Sequence, residues 1–263
     1  MLGELSGLLR VAERAARAAG GVIQAAARAT DVRHKGAVDL VTEVDLAAEE
    51  ALVTALAAET PGVPVLAEER GGASDASTRW IVDPLDGTTN FVHGFPCYCV
   101  SVALERDGAV VVGCVYDPLR DRAYTASRGG GAWCGDERLR VSSTRTLDES
   151  LLLTGFPYDR RQRAAYYLRF VAAFLERSQG VRRDGSAALD LCHIAAGRAD
   201  GYWEFNLQAW DVAAGALLVE EAGGVVSDVA RIPLSLSRPR VLASNGHIHE
   251  EMAIIISELL SLS

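Results

Sequence analysis

Hydrophobic positions in the first 25 residues fall at three- and four-residue intervals: Leu2, Leu5, Leu8, Leu9, Ala12, Ala16, Ala19 and Ile23. That spacing lines one face of an α-helix and predicts a long amphipathic helix at the start of the chain. Its Arg-rich opposite face is like that of a transit peptide, but Glu4 and Glu13 count against that reading, because such peptides are poor in acids. "DLVTEVDLAAEEALVTALAAE" reads as a turn leading into a second helix, with Asp45 near its start. From "VPVLAEE" onward the pattern changes to strands. "RWIVD", "CYCVSVALERDGAVVVGCVYDP" and "RAYTASR" are rich in β-branched and aromatic residues, divided by turns at Asp107-Gly108 and Asp117-Pro118. Helical spacing returns in "RAAYYLRFVAAFLERS", "SAALDLCHIAAGRAD" and "WDVAAGALLVEEAGG", the last ending in glycines as helices often do. An early helix pair, a strand-rich middle and later alternation predict a layered α/β (α+β) architecture, with no internal repeat or long linker.

Composition narrows the function classes. A chain of 263 residues can bury a substantial core. We expect one domain over 1–263, with an N-terminal half to about 143 and a C-terminal half from about 144. The net charge of −9 argues against a general nucleic-acid or anionic-membrane binder, since phosphate backbones attract basic surfaces. Five cysteines, odd in number and without a C-x-x-C pair, read as reduced thiols of a cytoplasmic protein. No secretory pattern and no long apolar run is present, so no membrane span is expected.

The stretch "RWIVDPLDGTTNF" places Asp83 and Asp86 where an apolar run ends. Taken alone, D-P and D-G are ordinary turn dipeptides, and Asp211 alone would serve as an acid in a helix's first turn. Glu68, Asp83, Asp86 and Asp211 nevertheless share a property: each is expected where a strand stops or a helix starts, where ligands of layered α/β folds gather. Gathered carboxylates take up protons unless cations neutralise them. An all-oxygen set suits hard divalent ions, Mg²⁺ above Zn²⁺, and more than one ion points to metal-assisted hydrolysis. Gly87 permits close backbone approach, N–H groups after it can bind phosphate oxygens, and Thr88 offers a hydroxyl to orient water.

"DPLDGTTNF" resembles the signature of the inositol monophosphatase family, and "KGAVDLVTEVD" (35–45), "LAEE" (66–69), "GSA" (185–187), Glu204 and "WDVAAGALLVEEAGG" (210–224) follow in that family's order and spacing. The resemblance covers residues from about 5 to about 250. It implies a layered α-β-α-β-α sandwich of the inositol monophosphatase and fructose bisphosphatase type, commonly a homodimer. It also implies two or three Mg²⁺ ions held by Glu68, Asp83, the Leu85 carbonyl, Asp86 and Asp211. Phosphate contacts would come from the Gly87 and Thr88 amides. Thr88, its hydroxyl held by Asp45 and assisted by Glu68, would help activate the attacking water. Glu204, Gly185, Ser186 and Ala187, with Asp211, would face the leaving alcohol, and Lys35 matches a lysine of a mobile loop linked to metal occupancy. Asp184 stands where the family has an uncharged residue, which bears on substrate preference and not on the reaction.

Rival chemistries fit less well. A haloacid-dehalogenase-type aspartyl phosphatase spaces its acids two apart, not three. C-x5-R occurs at Cys134–Arg140 and Cys192–Arg198, but the first contains two acids and the second lies in helical periodicity. "RGGGAW" lacks the G-x-G-x-x-G spacing of a nucleotide loop and reads as a tight turn. His247 and His249 read as surface residues. The expected activity is therefore Mg²⁺-dependent, lithium-sensitive hydrolysis of a small phosphorylated polyol or sugar. The best single substrate is myo-inositol monophosphate, with fructose 1,6-bisphosphate or histidinol phosphate as alternatives. A non-catalytic role beside the transcription machinery, known for some bacterial members of the family, is compatible with the same motifs.

Overall fold

The structure is a computed structural model and describes residues 2–26, 32–34, 40–72 and 76–261. Two helices open it, α1 (Leu2–Ala25) and α2 (Glu43–Glu59), with the short antiparallel strands β1 (Val32–His34) and β2 (Leu40–Thr42) between them. An eight-stranded sheet follows: β3 (Val65–Ala67), β4 (Gly71–Gly72), β5 (Thr78–Asp86), β6 (Cys99–Arg106), β7 (Ala109–Asp117), β8 (Arg122–Ser127), β9 (Gly131–Cys134) and β10 (Glu137–Arg138). Its spatial order is β10-β9-β8-β7-β6-β5-β3-β4, antiparallel except where β3 lies parallel to β5. The short helix α3 (Thr88–His93) leaves the end of β5. The second sheet contains β11 (Leu151–Thr154), β12 (Gly180–Arg182), β13 (Gly201–Glu204), β14 (Val225–Asp228) and β15 (Val241–Ser244), ordered β12-β11-β13-β15-β14. Interleaved with it are α4 (Arg160–Leu175), α5 (Ala187–Ala195), α6 (Ala209–Glu221) and α7 (His249–Ser261).

Alternating side chains sort these elements into layers, because successive residues of a strand face opposite sides of its sheet. In β5, Trp80 and Val82 pack with Ala12, Ala16, Leu52 and Leu56 of α1 and α2. Ile81 between them joins Leu191, Val212 and Leu217 of α5 and α6 on the opposite side. The second sheet repeats the division. Tyr202, Val241 and Ala243 face α5 and α6, whereas Leu152, Trp203 and Leu242 face Phe170, Phe174, Met252 and Ile256 of α4 and α7. The result is the α-β-α-β-α sandwich that the resemblance implied. Its middle layer, α5 and α6, is covered by a sheet on each side, which is why Val212 to Val219 are all buried and why both helices are mostly apolar.

That layer packs closely. A Cβ on Gly113 of β7 would stand 2.9 Å from the Ala214 carbonyl oxygen and 3.1 Å from its Cα, so the bare backbone lets α6 lie against the sheet. Local differences from the sequence reading are small. The strand expected in "VPVLAEE" stops at Ala67 and leaves Glu68 just beyond it. The "CYC" strand starts only at Cys99. His249 is not a simple surface residue, because its ring is half-buried and bonded to Ser227 and Ser244 at 3.0 Å each. "RGGGAW" does form a tight turn, with Gly129 and Gly131 at φ of 76° and 81°. Among the described residues no helix is long and apolar enough to cross a membrane.

Gly113→Val should lower the unfolding free energy by about 1–3 kcal/mol, since its side chain meets α6 backbone that cannot rotate aside. Urea denaturation of the purified variant measures this, and a loss below about 0.5 kcal/mol would mean that the helix shifts freely.

Candidate active site

The sequence reading had a turn begin at Asp83, but β5 continues through Asp86. Residues three apart in an unbroken strand point to opposite faces. Here the register against β6 slips: Asp83 pairs with Ser101 and Asp86 with Cys99, so two residues of β5 oppose one of β6. This bulge turns both carboxyl groups into one pocket, which Glu68, Leu85, Gly87, Thr88 and Asp211 also line. Glu68 arrives by register, since Ala67 of β3 lies opposite Val82 of β5 and the next residue falls beside Asp83. Asp211 arrives as the third residue of α6, where its Oδ2 accepts the Gln208 amide hydrogen at 2.7 Å in a capping box.

The backbone after β5 bends sharply. Gly87 has φ of 98°, and a Cβ there would lie 2.9 Å from the Cys97 carbonyl oxygen, so neither the conformation nor the space admits another residue. The Thr88 hydroxyl lies 2.8 Å from Asp45 Oδ1, to which it donates, and 3.1 Å from the Leu85 carbonyl oxygen. Asp45 is itself buried in the first turn of α2. Of the residues expected at the leaving-group side, Gly185, Ala187 and Glu204 line the pocket. Ser186 departs from that expectation: its side chain is fully buried, donates to Asp86 Oδ2 at 2.7 Å and caps α5 by accepting the Leu189 amide hydrogen. A capping residue turns its hydroxyl back toward its own helix, and Ser186 is not among the residues lining the pocket. Asp184 is half-buried; its carbonyl oxygen accepts from Asn90 Nδ2 at 2.8 Å. Lys35 lies outside the described residues.

Electrostatics mark this pocket. Burial, then Glu68, Asp86 and Asp211, pushes the Asp83 carboxyl well above the usual carboxylate range. Asp211 is raised by burial and by Asp86. Asp86 is raised by burial too, with the Ser186 hydroxyl and the Ala188 amide opposing the shift. Glu204 is lifted to about 7, chiefly by burial, while Tyr202 and Arg183 hold it down. Among the described residues no three His, Cys, Asp or Glu side chains converge tightly enough to hold one ion as they stand. The fit to divalent ions therefore rests on donor chemistry: four mutually repelling carboxyl groups and one carbonyl around a single pocket are an oxygen set short of positive charge.

The sequence reading missed other lining residues, among them Gly155, Tyr158, Arg160, Arg183, Asn206 and Gln208. They come from the loops after β11, β12 and β13 and, for Arg160, from the first residue of α4, and only the fold brings those segments together. Arg183 and Arg160 could have been suspected as cations beside a phosphate site, but no spacing singles them out.

The model of the inositol monophosphatase family matches residues 4–261. The chain belongs to the inositol monophosphatase family. As a member it is a phosphatase, a phosphoric monoester hydrolase. It is 45% identical to the inositol-1-monophosphatase of Mesorhizobium japonicum over 232 residues, 88% of this chain and 87% of that one. It is 44% identical to the Nus factor SuhB of Pseudomonas aeruginosa over 247 residues, 90% and 91% of the two chains. The solved structure of inositol monophosphatase from Anabaena (Nostoc) sp. PCC 7120 superposes with a TM-score of 0.89 at 40% identity, covering 99% of this chain and 100% of that one.

Glu204 gives this phosphatase a measurable pH dependence. A carboxyl raised in the folded state favours folding while protonated, so its contribution is intact below the ordinary carboxylate pKa and is lost as pH rises through about 7. The loss attributable to this residue is about 3 kcal/mol. In EDTA, Glu204→Gln should remove that part of the decline and be more stable than the wild type at pH 8. Urea titrations of both proteins at pH 5 and pH 8 check this; parallel declines would contradict it.

Proposed function

We propose that this phosphatase hydrolyses a small phosphorylated polyol, myo-inositol monophosphate first, in a Mg²⁺-dependent reaction. The observation that carries the reading is the bulged end of β5, which aims Asp83 and Asp86 into the pocket lined by Glu68, Asp211 and Glu204. Glu68, Asp83, the Leu85 carbonyl, Asp86 and Asp211 would hold the ions. When bound, divalent ions supply positive charge that neutralises phosphate and lowers the pKa of water. The Gly87 and Thr88 amides would cradle the phosphate oxygens, and Gly87 leaves the backbone uncovered for that approach. The Thr88 hydroxyl, donating to Asp45, would accept a hydrogen bond from the attacking water and orient it, with Glu68 assisting; as the water loses a proton to Thr88, the Thr88 hydroxyl proton would pass to the Asp45 carboxylate. On the far side Glu204 accepts a hydrogen bond from a hydroxyl of the leaving alcohol.

The name of the Mesorhizobium relative supports inositol 1-phosphate. A second reading, fructose 1,6-bisphosphate, has its own support. Arg160 and Arg183 both line the pocket without a carboxylate partner among the described residues. Burial and the nearby Arg183 charge lower the Arg160 pKa. Two like charges left facing one cavity suit a second anionic group on the leaving alcohol. The name of the Pseudomonas relative supports a separate role beside the transcription machinery. Recovery of RNA polymerase with the Asp83→Asn protein would uphold that role independently of catalysis, and none would remove it.

Phosphate release from inositol 1-phosphate, fructose 1,6-bisphosphate and histidinol phosphate, each with Mg²⁺ and with EDTA, tests the catalytic reading. Turnover should require Mg²⁺ and fall at least about 100-fold in Asp83→Asn. Turnover that persists in EDTA overturns the metal assignment. Arg160→Gln and Arg183→Gln should each lower kcat/KM for the bisphosphate about tenfold more than for inositol 1-phosphate. Equal losses on both substrates would remove the second reading.

A further inference from the structure

We infer that Gly155 and Tyr202 are positioning residues that fix the Glu204 carboxylate with one oxygen presented to the leaving alcohol, and so set the preference of this site for polyhydroxyl phosphates. The inference rests on the reading that Glu204 faces that alcohol.

Glu204 is the last residue of β13, and Tyr202 stands two residues earlier on the same face of the strand. The Tyr202 ring is fully buried against the middle helical layer. Its hydroxyl donates to Glu204 Oε2 at 2.6 Å. Oε1 has no protein partner among the described residues and remains to accept from a ligand. A carboxylate with one oxygen held at a short charge-assisted bond loses most of its freedom to rotate.

The neighbouring strand limits the space around the group. β11 runs parallel to β13, with Thr154 opposite Trp203, and the Thr154 hydroxyl donates to the Trp203 carbonyl oxygen at 2.8 Å. The next residue, Gly155, therefore comes opposite Glu204. A Cβ on Gly155 would overlap Cδ, Oε1 and Oε2 of Glu204 together. Gly155 is absent from the glycines with positive φ, so space and not backbone conformation demands glycine here. Any side chain at 155 would displace the carboxylate that Tyr202 holds. The two residues thus act on Glu204 together, one by attraction and one by leaving room. Neither lies among the residues that bind phosphate.

The chemistry separates substrates. An inositol phosphate has hydroxyls that can donate to Oε1, whereas phenyl phosphate has none. Loss of a hydrogen bond to a charged group costs roughly 10- to 100-fold in affinity, and only a substrate that makes the bond can lose it.

The test measures kcat and KM with Mg²⁺ on inositol 1-phosphate, fructose 1,6-bisphosphate, histidinol phosphate and phenyl phosphate. The proteins are wild type, Tyr202→Phe, Gly155→Ala, Glu204→Ala and the double variant Gly155→Ala/Glu204→Ala, each checked for native fold by circular dichroism. Tyr202→Phe should raise KM for the preferred polyol phosphate about tenfold, leave its kcat within about threefold, and change phenyl phosphate kcat/KM less than about twofold. Gly155→Ala should give a larger loss on the polyol phosphate. That loss should vanish in the Glu204→Ala background, where the added methyl group has nothing to displace. Parallel losses on polyol and phenyl phosphates, or a Gly155→Ala loss that persists undiminished without Glu204, would overturn the inference. Wild-type protein that hydrolyses phenyl phosphate but no polyol phosphate would overturn the substrate reading itself, and the inference with it.

Discussion

Carboxylates brought together away from bulk water repel one another, and the architecture holds four of them, one buried and three half-buried, around one pocket in spite of it. Asp83 and Asp211 are pushed toward the protonated form by burial and by the acids around them, Glu68 and Asp86 among these, because little water is left to screen the charges. Such a set is stable only on a rigid frame. The frame here is backbone: two parallel strand ends, a bulge and the first turn of a helix, each tied down by its own hydrogen bonds. Asp86 takes Ser186 and the Ala188 amide, Asp83 takes the Leu85 amide, and Asp211 takes the Gln208 amide. Those bonds offset part of the repulsion and fix where each carboxyl group points. The charge still missing is the reason to expect cations there.

The middle helical layer makes that frame possible. α5 and α6 lie between two sheets, so their N-terminal turns sit at the same edge as the end of β5. Bare backbone permits the approach, as at Gly113 against Ala214 and at Gly215, where a Cβ would overlap Leu191. The hydrogen bonds from Ser186 and Ala188 to Asp86 then connect the second half of the chain to the strand end of the first. The active site is thus a seam between the two sheets. Asp83, Asp86, Gly87 and Thr88 reach it from the end of the eight-stranded sheet, and Gly155, Arg183 and Glu204 from the five-stranded one.

Periodicity and motif order determined a good deal by themselves. The spacing of Leu5, Ala12, Ala16, Ala19 and Ile23 is a local property of a helix with one buried face, and α1 has that face. The strand-rich middle and the apolar run of α6 follow from the same kind of local pattern. The ordered blocks around "DPLDGTTNF" carried the family, because a set of carboxylates with a glycine and a threonine at fixed spacing is a chemical requirement written into the chain. Tertiary structure decided the rest, since it depends on contacts far apart in sequence. The bulge that turns Asp83 and Asp86 to one side is set by pairing with β6, not by the dipeptides that suggested a turn. Ser186 points to Asp86, 100 residues away, and no local rule separates that from a hydroxyl facing substrate. Gly155 is an unremarked glycine until the parallel pairing of β11 and β13 puts it against Glu204. Local patterns select elements because each residue's neighbours along the chain are known; the pocket is made where distant elements meet, and only the fold fixes that.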